Sequence, residues 1–326
     1  MHEISKIQLL SKKKLVVFTG AGISAESGLS TFRDQSGLWN RLNPLKWASI
    51  GGWIKKPKSV LDFYNQRRKQ LLEVEPNHAH KLLAELENLY DITIITQNVD
   101  NLHERAGSSH VIHLHGELTK VTSSTNRLDP DCIKEYPLDK PILIGDKAED
   151  GSQLRPFIVW FGESPYAMEV AIDYIKEADI FVVIGTSLEI NPAASLIHYV
   201  RPATPCYIID PADLSDKIPD RFIHIKETAT KGIDLLFKHK LSNIYTPNTP
   251  IYLIRFFRNE QPDNQGRYHK DILQFNHEQI ESYHDFIQWI LPTIDKSRFH
   301  PEAPKAHLQI SVARKAFLNQ RWTKPV

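Results

Sequence analysis

The sequence predicts an α/β protein: a doubly wound parallel sheet with a small inserted lobe, followed by a short helical C-terminal module. Two observations carry this. Short apolar runs rich in β-branched residues alternate with stretches of helical period, as in a sheet buried on both faces. Two long stretches then break that alternation, which marks them as insertions.

Residues 4–13 read as a short helix ending in lysines 12–14. The first buried strand is LVVFTG (15–20), stopped by glycine, and further strands are ITIIT (92–96), IFVVIGT (180–186) and CYIID (206–210). Helices are expected at roughly 58–73, 77–88, 166–177 and 192–200. The Trp- and Lys-rich stretch 34–75 and the loop-like stretch 117–155 form the inserted lobe. TPNTP (246–250) reads as a linker, so one domain is expected at 1–240 and a second at 250–326. In the second, Asn276 can cap a helix with Gln279 three residues on. Ile280, Tyr283, Ile287 and Ile290 would share one face, and Pro292 would end it.

A chain of 326 residues with a formal net charge of +1 is poorly suited to nucleic-acid binding by bulk electrostatics. Its two cysteines, Cys132 and Cys206, suggest neither a disulfide framework nor a Cys-rich zinc site. A reducing compartment is the simplest reading. The N-terminus MHEISKIQLLSKKK has no apolar signal region, and no apolar run reaches membrane-spanning length. The expectation is a soluble, cytoplasmic protein without a nucleic-acid or membrane partner.

Gly20-Ala21-Gly22-Ile23-Ser24-Ala25 follows a strand and leads toward a helix, the G-x-G-x-x-A form of a dinucleotide-binding (Rossmann-like) loop. Gly20 permits the turn, and Gly22 lets backbone N–H groups approach a pyrophosphate. Alone the motif is weak. The acid usually found about twenty residues on is missing, and the best acid at a strand end is Asp210.

A longer pattern is more specific. GAGISAESGLSTFRDQSGLW (20–39), TQNVDNLHERAG (96–107), LHGE (114–117), RPFIVWFGE (155–163) and GTSLEINPA (185–193) occur in this order. The set resembles the sirtuin family over roughly the first 240 residues. The resemblance implies an NAD-dependent enzyme that removes acyl groups from protein lysines, giving nicotinamide and an O-acyl-ADP-ribose. It implies that Gly20, Ala21 and Gly22 cradle the diphosphate, and that Thr31, Phe32 and Arg33 lie in a loop closing over NAD. Gln97, Asn98 and Asp100 would line the ribose and nicotinamide pocket; Gly185, Thr186 and Ser187 would bind the adenosine side, and Ala229 would lie beside the adenine. Asp210 stands where many members have Asn for a ribose contact.

In the implied reaction the acyl oxygen attacks C1′ of the nicotinamide ribose, and a ribose hydroxyl must then lose a proton. His115 matches the base, because an unperturbed imidazole titrates near neutrality. His113, two residues away, reads as structural; H-x-H with no nearby Cys or third His makes no metal set.

Phe161, Gly162 and Glu163, with Glu189 and Asn191, match the two strips that hold an extended acyl-lysine peptide by strand addition. Tyr64 and Arg67 form Y-x-x-R on one helix face and resemble the sirtuin branch that removes succinyl, malonyl and glutaryl groups. There a guanidinium fork and a phenol bind the distal carboxylate. Deacetylation is expected beside it.

Most sirtuins carry four zinc-binding cysteines after LHGE. Here Ser123 and Ser124 lie where the first pair would begin, GDKAEDGSQ replaces the second, and Cys132 is alone, so no zinc is expected. Residues 259–304, centred on HDFIQWILP and SRFHPEAP, resemble opioid growth factor receptor-like proteins and are read as a helical module that can bind a protein partner. Two other functions compete: an NAD glycohydrolase on the same fold, which needs no peptide strips, and a non-catalytic NAD or ADP-ribose sensor, which needs no His115.

Overall fold

The structure, a computed structural model, describes residues 12–29 and 43–237 and four later strands, 251–257, 270–275, 307–313 and 320–325. Two compact units divide the chain: Lys12–Asp234, and one that takes in the C-terminal strands.

The first unit begins with β1 (Lys14–Thr19), α1 (Gly22–Ala25), α2 (Pro44–Trp47), α3 (Ile50–Lys55), α4 (Pro57–Leu72) and α5 (His78–Leu86). There follow β2 (Asp91–Thr96), α6 (Leu102–Ala106), β3 (Val111–His113), β4 (Gly116–Ser123), β5 (Lys134–Glu135) and β6 (Leu154–Ile158). It closes with α7 (Met168–Glu177), β7 (Ile180–Ile184), a 3-10 turn (Ala193–Tyr199), β8 (Cys206–Ile209), β9 (Phe222–Ile225) and α8 (Ala229–Leu235). Lys14 opens β1 instead of closing a helix, and the helix expected from residue 4 lies mostly outside the described residues.

Six parallel strands form one sheet in the order β3-β2-β1-β7-β8-β9. The four strands expected from apolar runs are its centre. β3 and β9 are short edge strands, VIH and FIHI, whose histidines hid them from a search for apolar runs. The order reverses at β1, between β2 and β7, and ligands bind at the carboxyl end of such a switch point. The registers Thr19↔Thr96 and Thr19↔Ile184 end the three strands level, so Gly20, Gln97 and Gly185 leave the sheet side by side. A core of Val16, Phe18, Ile95, Phe181, Val183, Leu196 and Ile208 packs one face.

The insertions form the lobe: α2, α3 and α4, with the antiparallel sheet β5-β4-β6. α4 starts at Pro57, where the missing N–H costs nothing, and buries Val60, Leu61, Phe63, Tyr64, Arg67, Arg68 and Leu71 along one side. Arg68 is fully buried and is met by backbone carbonyls: Nη1 donates to Leu118, and Nη2 to Tyr136 at 3.1 Å and Pro137 at 2.5 Å. It ties the helix to β4 and to the loop after β5. At the end of β4, Ser123 donates to Asp150 at 2.5 Å, lies 2.8 Å from the Ser152 hydroxyl, and accepts from the backbone of Thr125 and Asn126.

In the second unit, β10 (Ile251–Phe257), β11 (Lys270–Phe275), β12 (His307–Ala313) and β13 (Gln320–Pro325) form an antiparallel sheet, order β11-β10-β12-β13. A helical module is expected from the sequence; the described residues of 250–326 are strands. Runs such as IYLIRFF are rich in β-branched and aromatic residues, and β10 finds its partner β12 about fifty residues on, a pairing that local periodicity cannot reveal. TPNTP and the helix expected over 276–291 lie outside the described residues. No helix among the described residues is long and apolar enough to cross a membrane.

Candidate active site

The level strand ends open into a cleft of about 310 Å³ bounded by the sheet loops on one side and the lobe on the other. Gly20, Ala21, Gly22, Gln97, Asn98, Gly185, Thr186, Ser187 and Asp210 line the sheet end; Tyr64, Arg67, Trp160, Phe161, Gly162 and Glu163 line the lobe end; His115 and Asn191 lie between the flanking loops. A smaller pocket of about 20 Å³ is lined by Ala21, Ser24, Arg67, Asn98 and Asp100.

At the sheet end the glycine loops touch. Gly22 N–H donates to Gly185 O at 2.8 Å, and a Cβ on Gly22 would come within 2.6 Å of the Gly185 Cα. The Gly22 amide is thus engaged by the neighbouring loop, and its missing side chain lets the two loops touch. Gly185 itself has φ +64 and needs glycine. Gln97 Nε2 donates to Thr186 Oγ1 at 2.9 Å, joining the loops after β2 and β7. The Asp210 carboxylate accepts from Ala212 N at 2.9 Å.

Around the small pocket, Asn98 donates from Nδ2 to Gly20 O at 3.1 Å and Ser24 Oγ at 3.2 Å. Ser24 in turn donates to Asp100 Oδ2 at 3.0 Å. Burial raises the Asp100 pKa, opposed by the bonds from Leu102 N and Ser24. Ser24 was not singled out in the sequence, although it stands inside the first block; only the fold shows that it joins Asn98 to Asp100.

His115 Nδ1 lies 2.9 Å from Gln97 O. A carbonyl can only accept, so Nδ1 carries the proton and Nε2 keeps its lone pair in the neutral ring. Burial lowers the His115 pKa, partly offset by that bond, which favours the basic form at neutral pH. His113 differs. Nδ1 faces Asn98 O at 3.1 Å and Nε2 faces Glu104 at 2.8 Å, two acceptors. Burial works against its cation, but the Glu104 bond and charge raise its pKa. The two histidines thus hold successive carbonyls of one loop, and only His115 lines the cleft.

At the lobe end Tyr64 and Arg67 share the cleft-facing side of α4, as their spacing predicts. Tyr64 Oη accepts from Trp160 Nε1 at 3.1 Å, and burial pushes its pKa up, so the phenol stays protonated. Arg67 donates to Gln70 Oε1 at 3.1 Å; burial lowers its pKa, with Asp100 and Tyr64 acting the other way. Phe161 pairs in parallel with Ser49, donating to Ala48 O at 2.8 Å. Glu163 is held by Arg155 at 2.7 and 3.1 Å and by Trp160 N at 2.8 Å. Glu189 is bonded to Lys217 at 2.8 Å. Both acids are therefore anchored within the protein. Ala229 is buried at the start of α8 and does not line the cleft. Thr31, Phe32 and Arg33 lie outside the described residues.

Residues 20–192 match the Sir2 family. An NAD-dependent protein deacylase of Bacteroides thetaiotaomicron is 56% identical over 226 residues, 69% of this chain and 96% of that protein. One of Helicobacter pylori is 51% identical over 227 residues, 69% of this chain and 97% of that protein. Among solved structures, a Sir2 homolog–NAD complex is 37% identical with a TM-score of 0.61, covering 72% of this chain and 91% of that one. A Sir2–p53 peptide–NAD+ complex is 28% identical with a TM-score of 0.55, covering 71% and 95%. The matched residues run from the glycine loop after β1 to the turn after β7 and so take in both ends of the cleft: the chain belongs to the Sir2 family.

Proposed function

We propose that the chain is an NAD-dependent protein-lysine deacylase that prefers acidic acyl groups, succinyl and malonyl, and also removes acetyl. The observation that carries the preference is a pair of donors at the lobe end of the cleft. Tyr64 is a protonated phenol whose oxygen already accepts a bond, and Arg67 is a nearly buried guanidinium on the same helix face. A carboxylate at the end of an acyl chain is the acceptor that a phenol and a guanidinium fork bind together.

NAD suits the sheet end: the glycine loops line it with closely packed backbone, and a small pocket beside it sets Ser24, Asn98 and Asp100 among apolar side chains. When bound, NAD supplies an activated ribose carbon that takes the acyl group from lysine. The remaining work falls to the chain. Gly20, Ala21 and Gly22, with Gly185, Thr186, Ser187 and Asp210, hold the diphosphate and adenosine side, with Ala229 beside the adenine. Gln97, Asn98 and Asp100 fix the nicotinamide side. His115 Nε2 takes a proton from a ribose hydroxyl. Phe161, Gly162 and Asn191 receive the peptide backbone, with Glu163 and Glu189 bracing the strips.

The same reading includes a zinc-free lobe. Its support is the donor set: Ser123, Asp150 and Ser152 bond one another, and Cys132 packs with Leu61, Val121 and Ile142. It also includes a deacylase domain at 1–240, a C-terminal module at 250–326 that binds a protein partner, and a cytoplasmic location suited to the free thiols Cys132 and Cys206.

The test is to incubate the protein with NAD and matched acetyl-, succinyl- and malonyl-lysine peptides, measuring nicotinamide and deacylated peptide. Peptide-dependent release, faster with the acidic acyl groups, is expected. Nicotinamide release that ignores the peptide would sink the deacylase reading in favour of an NAD glycohydrolase.

A further inference from the structure

The Tyr64 hydroxyl is oriented by a residue outside the Y-x-x-R pair. An indole N–H has no lone pair to offer and can only donate, so in the 3.1 Å contact Trp160 Nε1 donates and Tyr64 Oη accepts. The phenol proton must then point away from Trp160. Tyr64 is 5% exposed and lines the cleft, so the proton is available to an acceptor there.

Trp160 is itself tightly placed. It is 1% exposed; the Arg155 guanidinium lies over its ring, 3.3 Å from the centroid, and the Trp53 ring is 5.2 Å away on a tilt. Its backbone N–H donates to Glu163 at 2.8 Å, and Glu163 closes the loop by gripping Arg155 at 2.7 and 3.1 Å. Arg155 also donates to Ile158 O at 2.6 Å. Glu163 of the peptide strip and Tyr64 of the acyl pocket are thus two ends of one buried network with the indole at its centre.

We infer that Trp160 is a positioning residue for acyl specificity: its indole N–H, held by Arg155 and Glu163, turns the Tyr64 hydroxyl into a directed donor for the distal carboxylate of an acidic acyl chain. The inference rests on the acidic-acyl reading above. It makes the Tyr64 donor a property of the RPFIVWFGE segment as much as of the helix that carries Tyr64. It also gives Glu163 a task that leaves its carboxylate inside the protein.

The experiment measures kcat and KM on succinyl- and acetyl-lysine forms of one peptide for the wild type, Trp160→Phe, Tyr64→Phe and the double variant. Trp160→Phe keeps an aromatic ring and removes the N–H. The ratio of succinyl to acetyl kcat/KM is expected to fall about fivefold, mainly through the succinyl KM, as for one hydrogen bond of about 1 kcal/mol. Tyr64→Phe is expected to lower it at least as far, and the double variant no further than Tyr64→Phe alone, because Trp160 acts only through the Tyr64 hydroxyl. Should Trp160→Phe not fold, replacing Trp160 by its benzothiophene analogue exchanges only the N–H for sulfur, and the same fall is expected. An unchanged ratio in either replacement, or additive effects in the double variant, overturns the inference. If the wild type favours succinyl and Arg67→Met abolishes that preference while Trp160→Phe does not, this inference fails and the acidic-acyl reading stands. If the wild type shows no acidic preference, both fail together.

Discussion

At the sheet end of the cleft, Gly20, Gly22, Gly185 and Thr186 meet through backbone and short side chains; at the lobe end, Tyr64, Arg67, Trp160 and Arg155 meet through long ones. The first end is made by three strands finishing level, so its geometry follows from sheet register. The second is made by side chains from α4, from β6 and from the segment after it, far apart in sequence and buried together. A backbone-built end leaves little room for variation, because a Cβ has nowhere to go. A side-chain-built end can be reshaped by single substitutions while the sheet stays as it is. His115 stands where the two meet, bonded to the sheet loop and open to the cleft.

Replacing His115 with Tyr tests whether the two ends work as one site. Loss of the base is expected to lower kcat for every acyl peptide by roughly 10²–10⁴-fold, read as deacylated peptide. Because burial lowers the His115 pKa, the wild-type acid limb is expected below the ordinary value of about 6.5: the base form persists as pH falls and is lost only beneath it. A limb above 6.5 would place the titration elsewhere.

Arg67→Met separates the ends. The charged contact to a succinyl carboxylate is expected to be worth about 10- to 100-fold in kcat/KM, with a smaller change on the acetyl peptide. An unchanged succinyl-to-acetyl ratio would remove the carboxylate clamp. Gly22→Ala probes the other end. The new methyl must displace the Gly185 backbone, so a loss of about 1–3 kcal/mol in stability, read by urea unfolding, and weaker NAD binding by calorimetry are expected together.

Arg68→Leu tests the lobe away from the chemistry. It leaves the Leu118, Tyr136 and Pro137 carbonyls without their donor, an expected cost of about 1–3 kcal/mol in the unfolding midpoint. The smallest effect is expected from Ser123→Ala, about 1 kcal/mol, since one hydroxyl gathers the end of β4 and the turn around Asp150 and Ser152. Treatment with a chelator is expected to leave the melting temperature of both proteins where it was. A fall would mean that a metal braces the lobe.

The central strands were legible because each is a short apolar run that the sheet buries on both faces, and Val16, Phe18, Ile95 and Val183 need no distant partner to announce them. The glycine loop, the order of the five blocks and the Tyr64–Arg67 spacing were legible for the same reason: each is local. The C-terminal sheet was not, since β10 and β12 are paired across about fifty residues. Nor were the separate fates of neighbours alike in type. His113 and His115, Arg67 and Arg68 are told apart by what faces them: Glu104 or the cleft, Gln70 and the cleft or a ring of carbonyls. Sequence alone determined the central strands, the glycine loop and the order of the five blocks, because residue type and local spacing set the fold of each segment. Which nitrogen of His115 holds the proton, which glycine contacts a loop and which way the Tyr64 hydroxyl points depend on groups brought from elsewhere in the chain, and these only the tertiary structure decided.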